Sequence, residues 1–289
     1  MAKRLNFREA TLISIHDKAA IFRQLHSDDT AFIIPNPYDV GTAVILERLG
    51  FKALATTSSG YAFSCGTRDN NISRDQMMAH LSDIVGATSL PVSADLENGF
   101  FDSPEEVAKT IAMAGHVGLV GGSIEDSTNG GGEPLYDIAD AKYRMVAAAE
   151  AKAALPHDFV LTGRAENFLV GRGSIDDVIK RLQAYQEAGA DVLYAPGLSR
   201  LEDVVSVVSN VDLPVNVLAR PSDPDFCASS LSQVGVKRIS VGGALARAAL
   251  GAFVRAGQEM LNDGTFDFAS EAIAHADIQA MFEDRSTKP

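Results

Sequence analysis

Short apolar runs alternate with longer amphipathic segments along most of the chain. The runs are rich in Val, Ile, Leu and Ala and have the length of buried strands, whereas the intervening segments carry helix start and stop signals. Ser103-Pro104-Glu105-Glu106, for example, places proline and two acids in a first helical turn. The predicted strands are Ala31–Pro35, Ala53–Thr57, Pro91–Asp95, the run that ends at Glu125, Val160–Gly163, Val192–Ala195, Pro214–Leu218 and Arg238–Val241.

The segments between the strands predict helices, many of which begin at a capping residue or end near glycine. These helices cover the N-terminal stretch to about Ser27, Val40–Leu49, Ser73–Ala87, Ser103 to the residue before Gly118, Ile138–Ala154, Ser174–Ala188, Leu201–Val208, Phe226–Val234 and Ala244–Leu261, with one more over Phe268–Phe282.

The alternation of eight strands with helices predicts a parallel sheet flanked by helices. Eight such units most economically close into a (β/α)8 TIM barrel, which commonly uses about 250 residues. The alternative is an open doubly wound sheet, but the G-x-G-x-x-G turn expected after an early strand is not present in the sequence. We therefore expect one domain over residues 1–289, with an N-terminal helix in residues 1–28 and a C-terminal helical tail in residues 262–289.

The composition suits a large apolar core and an acidic surface. Hydrophobic residues make up 46% of the 289 residues, and the formal net charge is −13 at pH 7. Proteins that bind nucleic acid concentrate Lys and Arg, so nucleic acid is not the expected partner. The excess of acid is compatible with a small anionic substrate, because a metal ion or a few arginines can reverse the charge locally.

Cysteine content and the length of the apolar runs bear on the compartment. The two cysteines, Cys65 and Cys227, do not form a disulfide framework, and we expect Cys65 to be a small buried apolar residue. No apolar run approaches the ~20 residues that span a bilayer, and no N-terminal segment has the pattern of a signal peptide. The sequence therefore predicts a cytoplasmic protein that does not bind membranes.

Acidic residues follow two neighbouring predicted strands. Asp95 and Glu97 come at and after the end of the third apolar run, and Glu125 and Asp126 follow the fourth. The carboxyl ends of parallel strands meet at one rim, where barrels bind ligands. Because Mg²⁺ prefers oxygen ligands, we expect Asp95, Glu97 and Glu125 to hold a divalent cation. The alternatives are that Asp95 and Glu97 only cap the following helix and that Asp126 is a structural partner of a neighbouring strand.

A cation and several polar residues complete the predicted rim. Arg164 follows the fifth strand, and its planar guanidinium would hold a carboxylate, although an ion pair with Glu166 or Asp126 would also account for it. Ser59 and Gly60 follow the second strand, where simple turn formation is the alternative. The other rim residues considered for substrate contact are Tyr38, whose alternative role is packing over the rim, Tyr61 and Asn216.

Six segments resemble those of the phosphoenolpyruvate mutase and isocitrate lyase superfamily, from Pro35 to the last barrel helix. Each segment is weak alone, and their shared order and strand-end positions carry the resemblance. The segments are Pro35–Asp39, Thr57–Tyr61 with Gly66–Asp69, Ser93–Phe100, Ser123–Asp126, Arg164–Phe168 and Ala184–Asp191.

The resemblance implies a (β/α)8 barrel, and often a homotetramer in which neighbouring subunits exchange the last barrel helix. It also implies Mg²⁺, with Mn²⁺ as an alternative, held by Asp95, Glu97 and Glu125 mostly through water, with Asp69 close by. Asp69 lies among turn residues, so a solvated turn is an alternative for it. The shared chemistry proceeds through a pyruvate enolate formed by breaking a C–C or P–C bond.

The same resemblance assigns roles to the remaining rim residues. The carboxylate and oxo group of the substrate would meet Ser59, Gly60 and Tyr61, with Arg164 on the carboxylate. The implied catalytic residues are Arg164, Glu125, Asp69 and Tyr61, and the implied substrate-binding residues are Ser59, Gly60, Tyr61, Tyr38, Arg164 and Asn216.

The chain departs from the family pattern at two points. Glu97 stands where the family usually has a second aspartate. Members that cleave isocitrate or methylisocitrate carry Lys-x-Cys-Gly-His after the acids of the fourth strand, and its cysteine is the general acid. Here residues 127–134 contain no Lys, Cys or His, which disfavours those two substrates.

Together these observations predict a Mg²⁺-dependent carbon–carbon lyase that cleaves a small 2-oxo acid, such as oxaloacetate, through a pyruvate enolate. One alternative is hydrolysis of phosphonopyruvate or an acyl-pyruvate, for which Thr128 or Asn129 is the candidate to activate water. The other alternative is a catalytically silent barrel that binds a metabolite.

Overall fold

Eight parallel strands form the centre of the computed structural model, which describes residues 13–128, 130, 132–220 and 226–283. The order of the strands around the sheet is β1-β8-β7-β6-β5-β4-β3-β2. The amide of Ala55 donates to the carbonyl oxygen of Pro35 (3.1 Å), which joins the two outer strands and nearly closes the barrel. The predicted (β/α)8 fold is confirmed. The strands are β1 (Phe32–Ile34), β2 (Leu54–Ala55), β3 (Val92–Asp95), β4 (Gly121–Glu125), β5 (Val160–Arg164), β6 (Val192–Tyr194), β7 (Val215–Leu218) and β8 (Arg238–Ser240).

Helices alternate with the strands and begin where the sequence supplies caps. The Ser73 hydroxyl accepts from the amide of Gln76, and the Ser103 hydroxyl accepts from the amide of Glu106, so both predicted helix starts are confirmed. The helices are α1 (Ile15–Ser27), α2 (Val40–Arg48), α3 (Ser58–Ser64), α4 (Arg74–Ala87), α5 (Pro104–His116), α6 (Ile138–Ala153), α7 (Ile175–Glu187), α8 (Leu201–Val208), α9 (Ala228–Gln233), α10 (Ala244–Asn262) and α11 (His275–Phe282).

The structure differs from the expectation at the second strand–helix loop. The residues after β2 form the short helix α3, which the hydrophobic pattern did not predict. The side chain of Thr57 accepts from the amide of Gly60 and so caps this helix. Cys65 follows α3 and is exposed, so the prediction of a buried Cys65 was wrong. Its environment is the exposed loop between α3 and α4 rather than the core.

The C-terminal segment also differs from the expectation. One helix was predicted over Phe268–Phe282, but a 3-10 turn at Asp267–Glu271 and α11 occupy this region. Ala272 between them takes an extended conformation with ψ at 144°, which ends the first turn. Within the described residues, no helix combines the length and the hydropathy needed to cross a membrane.

The amino ends of the strands are covered by α1. Phe22 on this helix is fully buried in an apolar cluster. The cluster includes Ile34 from β1, Val120 from the segment before β4 and Val192 from β6. This packing closes one end of the barrel and leaves the carboxyl ends of the strands available for a ligand. The first 12 residues of the predicted N-terminal helix region lie outside the described part of the chain.

Candidate active site

A cavity of about 200 Å³ opens between the carboxyl ends of the strands. Parallel strands direct their last residues to one rim, so side chains that are far apart in sequence meet there. The structure brings five predicted site residues together on the wall of this cavity. They are Ser59, Asp69, Asp95, Arg164 and Asn216.

Five further predicted residues are not among the described residues that line the cavity; they are Tyr38, Gly60, Tyr61, Glu97 and Glu125. The Tyr61 ring stacks on the buried His80 ring, with the centroids 3.6 Å apart. Gly60 packs against Tyr38 so closely that a Cβ atom at Gly60 would lie 2.9 Å from that of Tyr38. A glycine is therefore required where α3 meets the loop after β1. Substrate contact by Gly60, Tyr61 and Tyr38 stays a prediction.

The Arg164 guanidinium is shared by three carboxylates. Its Nη1 lies 3.2 Å from Asp95 Oδ1 and 3.0 Å from Glu125 Oε2, and its Nε donates to Glu166 Oε1 at 2.5 Å. Burial opposes the charge, but the carboxylates of Glu125, Glu166 and Asp95 hold the pKa of Arg164 well above its usual value. One partly buried cation thus holds together acids from β3, β4 and the loop after β5.

A single guanidinium does not neutralise all of these acids. Burial raises the pKa of Glu125 to about 8, with Glu166 and Asp95 adding to the rise and Arg164 opposing it. The Ser127 hydroxyl donates to Glu125 Oε1 at 2.5 Å, which fixes the orientation of this carboxyl group. At neutral pH the site therefore holds a proton on Glu125 or needs a further positive charge.

Glu97 lies behind the rim and is 3% exposed. Its backbone has φ at +50°, a left-handed conformation that turns the chain sharply after β3. Burial raises its pKa to about 8, and the charges of Asp95, Glu125 and Asp69 add to this rise. Its Oε1 is buried and has no hydrogen-bond partner among the described residues. An unsatisfied buried carboxylate oxygen is costly, so this position favours a proton or a cation.

Asp95 and Asp69 are closer to the mouth of the cavity. Asp95 Oδ2 accepts from the hydroxyl of Ser58 at 2.8 Å and from the amide of the same residue at 3.2 Å. Asp69 is exposed in the loop before α4. Partial enclosure of its carboxyl group and the nearby charge of Asp95 raise the pKa of Asp69. Asp69 therefore belongs to the same acidic group as Asp95, although it lies on a separate loop.

Asp126 makes contacts of a structural kind. Its carboxylate accepts from the amide of Glu166 at 2.8 Å, from Arg181 Nη1 at 2.9 Å and from the Tyr185 hydroxyl at 2.5 Å. These partners lie on the loop after β5 and on α7, away from the cavity wall. The contacts support the structural alternative for Asp126, and they position the loop that carries Glu166 beside Arg164.

The oxygen donors suit a hard divalent cation. Asp95 and Glu97 supply carboxylate oxygens, and the unpartnered Oε1 of Glu97 is the atom that a cation or its water shell would satisfy. No three His, Cys, Asp or Glu side chains of the described residues lie close enough to hold one ion together. Mg²⁺ usually keeps several waters and takes one or two carboxylates, so contact through water fits this arrangement.

A second, wider depression of about 690 Å³ lies outside the barrel axis, beside the loop after β4. Its arginines are already paired: Arg172 with Glu133 at 2.8 Å, and Arg181 with Asp126 and Asp177 at 2.9 Å each. The Thr128 hydroxyl in this loop donates to the carbonyl oxygen of Glu133, and Asn129 lies outside the described residues. Asp69 and Asp95 line the smaller cavity, which we take as the candidate active site.

The polar floor of this cavity was not predicted from the sequence. Ser93, Ser123 and Arg238 line its deeper part, although each belongs to a strand that was predicted as buried and apolar. A cation inside a predicted buried strand was the signal that could have revealed Arg238, because unpaired arginine is rarely buried.

Comparison with known proteins identifies a family. The family model described as phosphoenolpyruvate phosphomutase matches residues 22–261. A protein from Burkholderia cenocepacia J2315, provisionally described as a lyase/mutase, has a solved structure that is 52% identical, with a TM-score of 0.91, over 93% of this chain and 97% of that chain. The 2-methylisocitrate lyase of Escherichia coli K12 is 28% identical over 234 residues, which are 78% of each chain.

A more distant structure shares the fold. It is a phosphonopyruvate hydrolase solved in complex with oxalate and Mg²⁺. Its sequence is 23% identical, and the match has a TM-score of 0.78 over 91% of this chain and 94% of that chain.

Proposed function

The chain belongs to the phosphoenolpyruvate phosphomutase family, and from this premise we propose that it is a lyase that breaks a C–C bond of a small 2-oxo acid related to oxaloacetate. Its superfamily comprises Mg²⁺-dependent lyases, mutases and hydrolases that act on 2-oxo acids. The observation that carries the proposal is the Arg164 guanidinium, held by Asp95, Glu125 and Glu166 at the mouth of the cavity.

The residues of this chain would bind and orient the substrate. Arg164 would hold its carboxylate, because the planar guanidinium matches a carboxylate with two parallel hydrogen bonds. Ser59, whose hydroxyl lies 3.1 Å from that of Thr57, would donate to the oxo acid end. Asp95, Glu97 and Glu125 would hold Mg²⁺, largely through water. When bound, the ion would stabilise the negative charge that develops on the enolate oxygen.

Cleavage of oxaloacetate needs no additional acid in its first step. The C3–C4 bond breaks, C4 leaves as carbon dioxide, and the electron pair forms the pyruvate enolate, which then takes a proton at C3. The described residues of the loop after β4 include no Lys, Cys or His, so a substrate whose leaving group must be protonated by such a side chain is disfavoured. The 2-methylisocitrate activity of the Escherichia coli relative is therefore not the proposed activity of this chain.

The test is pyruvate formation from a panel of substrates. The purified protein is incubated with Mg²⁺ and oxaloacetate, methyl-oxaloacetate, phosphonopyruvate or methylisocitrate, with and without chelator. We expect pyruvate from an oxaloacetate-type substrate and its loss with chelator. Pyruvate from phosphonopyruvate alone would identify a hydrolase instead, and stabilisation by a ligand without turnover would identify a binding protein.

Variants at the rim connect the activity to the site. Asp95→Asn removes one carboxylate charge beside Arg164 and is expected to lower kcat by at least about 100-fold. Asp29→Asn is the matched control, because Asp29 is exposed at the opposite end of the barrel, between α1 and β1. Full activity in the Asp95 variant, or activity that persists in chelator, would contradict the proposal.

A further inference from the structure

Arg238 is a buried cation inside the barrel, at the start of β8. It is 5% exposed. Its Nε donates to Asn216 Oδ1 and its Nη2 to Thr162 Oγ1, both at 3.0 Å, and its Nη1 lies 3.4 Å from His26 Nε2. Burial, followed by the charge of Arg238, lowers the pKa of His26 to about 3, so the imidazole is neutral. All three partners of the guanidinium are therefore uncharged groups.

This environment differs from that of Arg164 at the rim and of the buried Arg181 on α7. Arg164 and Arg181 each contact at least two carboxylates. Arg238 has no carboxylate within ion-pair distance in the part of the chain that the structure describes. Burial lowers the pKa of Arg238 to about 10, which still leaves the guanidinium charged at neutral pH. A buried charge without a counterion is costly, so an anion from outside the chain would stabilise this position.

The guanidinium also has hydrogen-bonding capacity to spare. It carries five N–H donors, and the contacts with Asn216, Thr162 and His26 use three of them. Arg238 lines the same cavity as Arg164, together with Ser93 and Ser123. Bulky branched side chains usually fill the interior of such barrels. The serines at these positions are smaller than such side chains, and a hydroxyl group is able to donate a hydrogen bond to an anion.

We propose that Arg238, with Asn216 and the serines of the cavity floor, forms a carboxylate-binding subsite below the rim. The paired N–H groups of a guanidinium fit the two oxygens of a carboxylate. For this reason we infer that the ligand of the subsite is a carboxylate. Without a metal, the rim is a poor anion site because Asp95, Glu125 and Glu166 already surround Arg164. On the floor, by contrast, the positive charge of Arg238 is not paired with any acid of the described residues.

The subsite would explain why the substrate is a 2-oxo acid with a second carboxylate. This part of the inference rests on the proposed function. Arg164 and Arg238 line the same cavity, so a dicarboxylate bound there would have one cationic partner at the rim and another on the floor. The floor then holds the second carboxylate of a 2-oxo diacid, and a 2-oxo monoacid leaves it empty. The alternative ligand of the subsite is a separate small molecule that has a single carboxylate.

Calorimetric titration of the full-length protein with Mg²⁺ present tests the subsite without turnover, because the probes are not 2-oxo acids. The probes are succinate, a dicarboxylate, and acetate, a monocarboxylate. We expect wild-type protein to bind succinate, and Arg238→Met to weaken this binding by about 10- to 100-fold. Arg238→Lys keeps the charge but loses the fork, and is expected to give an intermediate loss. Lys180→Met, at an exposed position on α7, removes the same charge and is expected to change nothing.

The two sources of the carboxylate give different patterns. Succinate binding that is clearly tighter than acetate binding assigns the subsite to the second carboxylate of a diacid. Equal binding of the two probes, lost together in Arg238→Met, assigns it to a separate small carboxylate. No binding of either probe to wild-type protein, or unchanged binding in a folded Arg238→Met, would overturn the subsite.

Two further results can be interpreted. If Arg238→Met does not fold, Arg238→Lys gives the answer, because a purely structural arginine would leave the succinate affinity of this variant equal to that of wild type. Succinate binding that depends on Arg238 in a protein that produces no pyruvate would support the subsite and reject the proposed function. Pyruvate production with binding independent of Arg238 would do the reverse.

Discussion

At the residue scale, the candidate site is governed by an imbalance of charge. Arg164 is one guanidinium among several carboxylates, and Glu97 is buried beside them with an unpartnered oxygen. Two carboxyl groups of this group, Glu97 and Glu125, have pKa values raised to about 8. A site of this kind is stabilised by protons at low pH and by a cation at higher pH.

The buried carboxyl of Glu97 predicts a pH dependence of stability in chelator. Its pKa is higher in the folded than in the unfolded chain, where a glutamate titrates near about 4.3. The stabilising contribution is complete below that value and is lost as the pH rises to about 8. Glu97→Gln removes this loss, so at pH 8.5 the variant is expected to be more stable than wild type by on the order of 2 kcal/mol.

Thermal unfolding in chelator from pH 5 to 9 measures this effect. The curves of wild type and Glu97→Gln should lie close together near pH 5 and separate progressively as the pH rises to about 8. Glu150→Gln, at an exposed position on α6, is the control and should follow wild type throughout. Parallel curves for Glu97→Gln and wild type would show that Glu97 does not carry the predicted proton.

At the element scale, the position of each strand end depends on contacts from its neighbours. Asp126 connects the end of β4 to the loop after β5 and to α7. Gly121 at the start of β4 lets α1 approach the barrel, because a Cβ atom there would lie 2.7 Å from Phe22 Cε1 and 2.9 Å from the carbonyl oxygen of Val160. These contacts fix how β4 and β5 present Glu125 and Arg164.

Asp126→Asn tests the connection between β4 and α7. The variant leaves the Arg181 guanidinium without its buried partner, and loss of one member of a buried ion pair costs about 3 kcal/mol. Chemical denaturation is the measurement. Asp177→Asn is the matched control: Asp177 contacts the same guanidinium, but its side chain is 40% exposed, so about 1 kcal/mol is expected. Equal losses in the two variants would contradict the structural role of Asp126.

Gly121→Ala tests the approach of α1 to the barrel. The added methyl group meets a backbone oxygen and a fully buried ring, neither of which has room to move, so we expect a loss of about 2 kcal/mol in unfolding free energy. Gly86→Ala is the control. No atom lies within 4 Å of its Cβ position on α4, and alanine is the better helix former, so about 0.5–1 kcal/mol of added stability is expected. A Gly121→Ala protein as stable as wild type would contradict this packing.

At the scale of the whole molecule, the family match confirms the prediction of an enzyme of the isocitrate lyase and phosphoenolpyruvate mutase type. The last barrel helix, α10, contacts the barrel with a small part of its surface. Ala246 is the buried residue on this helix, whereas Phe253 and Leu261 are 77% and 85% exposed. We propose that this apolar surface packs against another copy of the chain, in keeping with the predicted homo-oligomer.

Phe253→Asp tests this assembly. A charge in the centre of the apolar surface is expected to shift the molar mass from that of an oligomer toward 30.6 kDa, the mass of one chain. Light scattering after size-exclusion chromatography measures it. Tyr143→Asp, at a 70% exposed aromatic position on α6, is the control and should keep the wild-type mass. A wild-type protein that elutes as a monomer would reject the proposal.

The sequence by itself determined the order of strands and helices, and from it the barrel. Burial of a strand or of one helix face leaves a periodic pattern of apolar residues in the sequence. Capping residues such as Ser73 and Ser103 mark the first turn of a helix in a stretch of four residues. The placement of Asp95 and Arg164 at strand ends was also predictable, because every parallel strand ends at the same rim. The order of the segments that contain these residues, and their positions at strand ends, carried the family resemblance.

The tertiary structure alone decided which groups meet. Arg164 lies 69 residues from Asp95 in sequence, and barrel closure sets their distance of 3.2 Å. The same closure separates Tyr61 from the cavity, buries one carboxylate oxygen of Glu97 without a hydrogen-bond partner and places Arg238 below the rim. Local patterns report what each residue prefers, whereas charge balance and cavity shape depend on neighbours that only the folded chain brings together.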